Sequence, residues 1–365
     1  MKVQYLTNIP APYRMDFFSE LSKYVDLTVI FERRSASDRD SRWQKDIQPS
    51  FKTIFLDAKK IGTDNSISFN VIKAIDLNSD VIVIGMYSTC TAMIAQTYLK
   101  RHKKPYFLNT DGGFVGNDNI AKRILKRYFI SSASWWLTTG KLSSEYFEYY
   151  GASKDRIYIY PFSSIKSDDI QIVEDNEKER IREELGLPDT RIVISVGQFI
   201  YRKGFDLLID AASMMDRSIY WIIIGGSPIE EYKKAIEKNK VNNIHFMDFM
   251  KPEILYKFYK AADLFVLPTR EDIWGLVVNE AIAFGLPIVT TDRCIAGSEV
   301  ISDGENGFIA KSDDVDDLKN KLELAISDEF LKGLNYSKAM ELAQKYTIEN
   351  MAKRHFEIFE EVCNI

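Results

Sequence analysis

The chain is 365 residues long, 45% hydrophobic and 13% aromatic, enough to build the cores of two or three ordinary domains. Its 48 Lys and Arg against 53 Asp and Glu leave a net charge of -5, and its start, MKVQYLTNIPAPYRMDFFSEL, has no basic stretch leading into a long apolar one. No apolar run approaches the roughly 18 residues of a membrane span, and Cys90, Cys294 and Cys363 are far apart and outside any C-x-x-C pair. Secretion, membrane spanning and a disulfide framework are therefore not expected, nor is a metal centre, because His102, His245 and His355 fall in no cluster with ligand spacing. A cytoplasmic protein with reduced thiols is the expectation.

From the N-terminus, short apolar runs alternate with amphipathic stretches, the mark of parallel sheets covered by helices. KVQYLT, LTVIF, KTIFL, VIVIG, PYFLNT, WWLTT and RIYIYP read as strands, with helices YRMDFFSELSKY, CTAMIAQTYLKRH and IAKRILKRYFIS between several of them. The alternation pauses at PFSSIKSDDIQIVEDNEKER, a polar, acidic segment without an apolar period. It resumes with strands RIVISVG, YWIIIGG, NIHFM, DLFVLP and LPIVTT, interleaved with helices FDLLIDAASMM, IEEYKKAIEK, PEILYKFYKAA and GLVVNEAIAFG. DDLKNKLELAI and IENMAKRHFEIFEEV close the chain as helices with no strand after them. The economical account is an α/β fold of two doubly wound parallel-sheet domains, residues 1–162 and 163–345, with 346–365 a helix crossing back to the first. Charge divides along the same line: residues 1–162 carry 23 Lys and Arg against 16 Asp and Glu, the remainder 25 against 37. Either the two solvated surfaces simply differ, or the basic half meets something anionic.

Ligands of open parallel sheets bind beyond the carboxyl ends of the strands, so two sheets set face to face would define a cleft, with the chemistry in loops that follow strands. Four loops qualify. In TNIPAPYRMDFF, Tyr13 and Arg14 follow the first strand, where Arg14 offers a cation to a phosphate unless the segment is only a turn. In YFLNTDGGFVGNDN, Asn109 and Asp111 precede two glycines that permit close backbone approach, although an Asp-Gly turn gives the same pattern. In SVGQFIYRKGFDLLIDA, Arg202 and Lys203 stand beside a helix N-terminus, which suits a diphosphate; a solvated basic loop is the plainer reading. In TREDIWGLVVNEAIAFG, Asp272 precedes a helix that carries Glu280 among Val277, Val278, Ala281, Ile282 and Phe284, where a carboxylate must find partners. Eight residues at helical rise span at most about 12 Å, the reach from the hexose to the ribose of a nucleotide sugar, and Gly275, Leu276 and Val277 offer backbone N-H groups to the phosphates between. The D-x-D of SDRDSR, Asp38 to Asp40, sits in a charged loop without supporting context and is set aside.

These residues form a known pattern. P-x(3)-D-x-W-G-L-V-x-x-E-A-x-x-x-G-x-P-I-V, from Pro268 to Val289, resembles the E-x7-E region of the retaining GT-B glycosyltransferases of family 4, the group 1 glycosyltransferases. VGQF...RKG resembles that family's phosphate-binding segment, and IIIGG, NIHFMDFM, YKAADLFVLP and SEVISDGENGFI fit in order, so the likeness covers nearly all of residues 190–312. It implies a hexose-type transfer from a nucleotide-diphosphate sugar to a hydroxyl of a glycan or lipid-linked acceptor, in surface polysaccharide or glycoconjugate assembly, with no metal and no further cofactor. It also implies that Glu280 binds the ribose, that Asp272, where the family usually has Glu, holds donor-sugar hydroxyls, and that Lys203 meets the diphosphate. Gln198 stands where a basic residue is usual, with Arg202 its substitute. Asp248 and Phe249 would line the base pocket, Asp111 or Asn109 would stand in for an acceptor-side histidine, and Tyr13 and Arg14 would face the acceptor. The alternatives are a nucleotide-sugar epimerase or hydrolase on the same fold, or a nucleotide-sugar binder without catalysis. Nucleic acid is not an expected partner. An anionic membrane surface is one, because Lys122, Arg123, Lys126 and Arg127 repeat at helical spacing beside Ile124, Leu125, Tyr128 and Phe129, a form that a merely solvated helix also takes.

Overall fold

The computed structural model describes residues 1–34, 49–61, 65–116 and 118–363, and Asp38 to Asp40 lie outside them. The chain forms two compact units, Met1–Ser164 with Thr347–Ile365, and Ile165–Tyr346.

In the first unit the strands are β1 (Lys2–Thr7), β2 (Asp26–Phe31), β3 (Lys52–Phe55), a small antiparallel hairpin of β4 (Lys59–Ile61) and β5 (Asn65–Ile67), then β6 (Val81–Ile84), β7 (Phe107–Asn109), β8 (Trp135–Thr138) and β9 (Ile157–Ile159). Seven of them make a parallel sheet ordered β3-β2-β1-β6-β7-β8-β9. The second unit holds β10 (Ile192–Val196), β11 (Tyr220–Ile224), β12 (Ile244–Met247), β13 (Leu264–Leu267), β14 (Ile288–Thr291) and β15 (Gly307–Ala310), a parallel sheet ordered β12-β11-β10-β13-β14-β15. β10, β13 and β14 are buried along their whole length, which is why they read as largely apolar runs, broken only by small hydroxyl residues, and not as alternation. In each unit the strand order reverses next to the first strand, between β1 and β6 and between β10 and β13, so the loops leaving those strands flank the place where such sheets take ligands.

The last helix, Ile348–Cys363, belongs to the first unit. Its Phe359 ring lies 5.4 Å from Phe107, and its fully buried His355 lies between Phe17 at 4.7 Å and Tyr160 at 4.3 Å.

Several elements depart from the expected pattern. The acidic segment after residue 161 contains a helix, Asp175–Leu185, held largely by charge: Lys178 and Arg182 reach Asp263 at 3.2 and 2.8 Å, and the Arg182 Nε donates to the Ala261 carbonyl at 2.9 Å. Ionic anchoring leaves little apolar period to read. The helices Asp328–Lys332 and Tyr336–Lys345 and the four-residue edge strand β15 were also not anticipated, being short and bounded by Ser, Asn and Gly.

Candidate functional site

The loops after β10 and β13 meet backbone to backbone. Gly204 closes the first at φ 69°, and a Cβ there would stand 2.0 Å from the Pro268 carbonyl oxygen, so only glycine lets the loops touch. Arg270 ties them together. Its backbone N-H donates to the Arg202 carbonyl at 2.8 Å and its Nη1 to the Tyr201 carbonyl at 2.9 Å, while the guanidinium grips Asp206 in bidentate fashion at 2.8 and 2.6 Å. Its Nε reaches Asp313 at 2.5 Å, and its plane lies 4.0 Å from the Tyr201 ring centroid. Nothing in the sequence had singled out Arg270; the one available signal is a cation inside the TREDIW loop.

The turn that Arg270 holds, Tyr201–Lys203, presents both expected cations to Asp272. Lys203 Nζ stands 2.5 Å from Asp272 Oδ2, Arg202 Nη1 stands 3.5 Å from Oδ1, and Arg202 also donates to the Glu271 carbonyl at 2.9 Å. Residues 69 and 70 positions apart in the chain thus form one charged cluster with a net positive charge. Lys203 and Asp272 are nearly buried, whereas Arg202 is about two-fifths exposed. Asp272 is fixed by its backbone too, donating to the Arg293 carbonyl at 2.8 Å and accepting from the Ile295 N-H at 3.2 Å. Gly275, at φ 98°, then opens the helix Leu276–Ala283. A Cβ at Gly275 would lie 2.9 Å from the buried Cys294 sulfur. The N-H groups of Leu276 and Val277, in the first turn, have no intrahelical carbonyl four residues back. Gln198 is exposed in the turn after β10.

Glu280 lies just over one turn into that helix and is partly buried. The Tyr259 hydroxyl, from the helix Pro252–Ala261, donates to its Oε2 at 2.9 Å. Burial pushes the Glu280 carboxyl up to about 7; Asp169 adds to the shift, while Tyr259 and Lys203 oppose it. The carboxylate that must find partners among apolar neighbours thus has one from the protein, a tyrosine that helical spacing alone marks as a core residue. Asp248 and Phe249 follow β12, two strands from β10; Asp248 is exposed and its Oδ1 accepts the Phe249 N-H at 2.7 Å.

In the first unit two expectations need correction. Asn109 is fully buried: its Oδ1 accepts from the Tyr5 hydroxyl at 2.5 Å and its Nδ2 donates to the Tyr160 hydroxyl at 2.9 Å and the Leu137 carbonyl at 3.2 Å, so it braces the sheet and presents nothing to a ligand. Arg14 is not offered to solvent either. It is buried, ion-paired with Asp111 and set 5.5 Å from the centroids of both the Tyr13 and Phe162 rings, because a guanidinium taken from water needs a carboxylate and a flat apolar bed. Asp111, about a quarter exposed, and the half-buried Tyr13 are the members of this group that reach the surface.

Residues 177–347 match the family described as Glycosyl transferases group 1. Over 259 residues, 67% of this chain, the sequence is 27% identical to the D-inositol 3-phosphate glycosyltransferase of Corynebacterium aurimucosum. Over 305 residues, 79% of this chain and 78% of the relative, it is 26% identical to the N,N'-diacetylbacillosaminyl-diphospho-undecaprenol alpha-1,3-N-acetylgalactosaminyltransferase of Campylobacter jejuni. The chain spans 61%, 50% and 48% of the length of three of the curated relatives it matches. The crystal structure of Anabaena HepE in complex with UDP and glucose matches with a TM-score of 0.77 at 16% identity, covering 100% of both chains. The likeness is one of fold, two parallel-sheet α/β domains of the GT-B kind.

Proposed function

We infer, from a chain whose residues 177–347 belong to the group 1 glycosyl transferases and which has the GT-B fold, that the protein is a retaining glycosyltransferase of family 4. It would move a hexose-type sugar from a nucleotide-diphosphate sugar to a hydroxyl of a glycan or lipid-linked acceptor, in surface polysaccharide or glycoconjugate assembly. The observation that carries this reading is the cluster of Arg202, Lys203 and Asp272 at the strand-order reversal, flanked by two helix N-termini. As the bond from the anomeric carbon to the diphosphate breaks, negative charge grows on the leaving oxygen. Arg202, Lys203 and the N-H groups at Leu276 and Val277 stabilise that charge without a metal ion. The acceptor hydroxyl attacks on the face the diphosphate leaves, and its proton passes to the departing phosphate oxygen. The solved HepE complex with UDP and glucose supports a nucleotide-diphosphate ligand. The test is a thermal-shift screen of UDP-, GDP- and ADP-sugars, followed by turnover of the radiolabelled hit with a lipid extract. Label in the lipid phase is expected; epimerised or hydrolysed sugar without transfer, or no stabilising nucleotide sugar, would overturn the reading.

The Campylobacter relative is named for a diphospho-undecaprenol acceptor, and a lipid-linked acceptor calls for a surface that meets a membrane. The helix Ile120–Ile130 has that form. Only Phe129 and Ile130 are buried, while Ile120, Ile124, Leu125 and Tyr128 are exposed beside Lys122, Arg123 and Arg127. No helix among the described residues is long and apolar enough to cross a membrane. Each cation near an anionic surface contributes about 1 kcal/mol. The protein is therefore expected to sediment with phosphatidylglycerol vesicles and not with phosphatidylcholine vesicles, less so as salt rises, and Ile124→Glu with Leu125→Glu is expected to weaken binding at least about tenfold. Equal sedimentation of this variant would remove the helix from the membrane account.

A further inference from the structure

The Tyr259 ring needs no hydroxyl to pack. It is fully buried, stacked on Phe284 with centroids 5.6 Å apart and planes 15° from parallel, and it lies 5.9 Å from Phe265. Phenylalanine would fill the same cage, and a phenolic O-H taken from water is a cost unless it has a partner. Its partner is Glu280, and the pair joins two separate helices. One carboxylate oxygen is thereby engaged, and no other hydrogen bond to the Glu280 side chain is found among the described residues. The orientation of the carboxylate is set by a ring that the stacking holds rigid.

We propose that Tyr259 is a positioning residue for the donor: by donating its hydroxyl hydrogen to Oε2 it holds the Glu280 carboxylate charged and turned so that the other oxygen accepts from ribose hydroxyls of the bound nucleotide. The proposal rests on the reading of Glu280 as the ribose ligand. A carboxylate accepts two hydroxyl donors well only when ionised, and the charged groups acting on Glu280 are Asp169, which disfavours its charge, and Lys203, which favours it. Tyr259 favours the charge as well. Burial, Glu280 and the neighbouring Tyr256 all hold the Tyr259 phenol well above its ordinary range, so it remains a donor throughout.

The experiment measures UDP affinity by calorimetry, with GDP and ADP in parallel, for the wild type, Tyr259→Phe, Glu280→Gln and the double variant, from about pH 5.5 to 8.5, a range that brackets the Glu280 carboxyl. Wild-type affinity is expected to fall as pH drops through about 7. Tyr259→Phe is expected to move that fall to higher pH and to weaken binding about tenfold at neutral pH, as suits one lost charge-assisted hydrogen bond. Donor KM rises while kcat at saturating donor changes little. Glu280→Gln is expected to weaken binding and flatten its pH dependence, and adding Tyr259→Phe then changes little more. A purely structural Tyr259 would lower affinity by the same factor at every pH. If Glu280→Gln binds all three nucleotides as the wild type does, the ribose assignment fails. If Glu280→Gln binds weakly but Tyr259→Phe keeps the wild-type pH profile, the ribose assignment stands and the positioning role is overturned. Melting curves of the unliganded variants separate either result from misfolding.

Discussion

Replacing Lys203 with alanine is expected to lower kcat/KM for the nucleotide sugar by roughly a hundred- to a thousandfold, the usual effect of deleting one preorganised group that meets developing charge. Lys203 is suited to that role because it is little exposed and held by Asp272, so its ammonium is in place before a diphosphate arrives and loses little freedom on binding. The same burial complicates the variant. Without Lys203, Asp272 keeps only Arg202 at 3.5 Å, and stripping one partner from a buried ion pair costs roughly 3–5 kcal/mol. A paired variant, Lys203→Met with Asp272→Asn, removes both charges and should melt close to the wild type while remaining inactive. Activity of the single variant within threefold of the wild type, or recovery of activity in the pair, would show that the cluster serves the fold and not the donor. Arg202→Ala should be milder, since that side chain is two-fifths exposed and its charge is partly screened.

What the sequence made legible follows from burial. β10 and β13 are enclosed on both faces, so Ile192–Val196 and Leu264–Leu267 could be read directly, as could the loops that follow them. The helix Asp175–Leu185 escaped notice because its attachment is Arg182 and Lys178 on Asp263, a contact spanning about eighty residues that leaves no periodic trace. The site shows the same division. Lys203, Asp272 and Glu280 were visible as charges out of place in apolar or glycine-rich surroundings. Tyr259 and Arg270 were not, since a tyrosine among apolar helix positions looks like core and an arginine in a loop looks like surface. Arg14 and Asn109 erred in the other direction: polar residues near strand ends suggested a ligand, but Tyr5, Tyr160 and the Leu137 carbonyl engage Asn109, and Arg14 is buried on Asp111. Sequence position at a strand end marks where a site can be, and only the hydrogen-bond partners decide whether a polar group remains available to it.

Glu280→Gln is expected to bind nucleotide sugar about a hundredfold more weakly than the wild type and yet to be the more stable protein above neutral pH, the usual relation between a binding group and the fold that must bury it. The carboxyl sits near 4.5 in the unfolded chain and is pushed up to about 7 in the folded one, mainly by burial. Between those values the folded state holds a proton that the unfolded state has lost, so wild-type stability declines as pH rises from about 4.5 and levels off above about 7. A raised carboxyl works against the fold at high pH, opposite to the usual salt-bridged carboxylate. Glutamine keeps an acceptor for the Tyr259 hydroxyl and carries no charge, so it escapes the penalty, which is on the order of 2 kcal/mol once the partial exposure of Glu280 is allowed for. Melting the two unliganded proteins at about pH 5 and pH 8 should give similar midpoints at the lower pH and a midpoint several degrees higher for Glu280→Gln at the upper. UDP well above the Kd of both proteins should then reverse the order at pH 8, because a hundredfold affinity difference gives the wild type up to about 2.7 kcal/mol more binding free energy than the variant, slightly more than the burial penalty. Parallel pH dependence of the two melting curves would mean that Glu280 is ionised in the folded protein without strain, and its place among apolar neighbours would need another explanation.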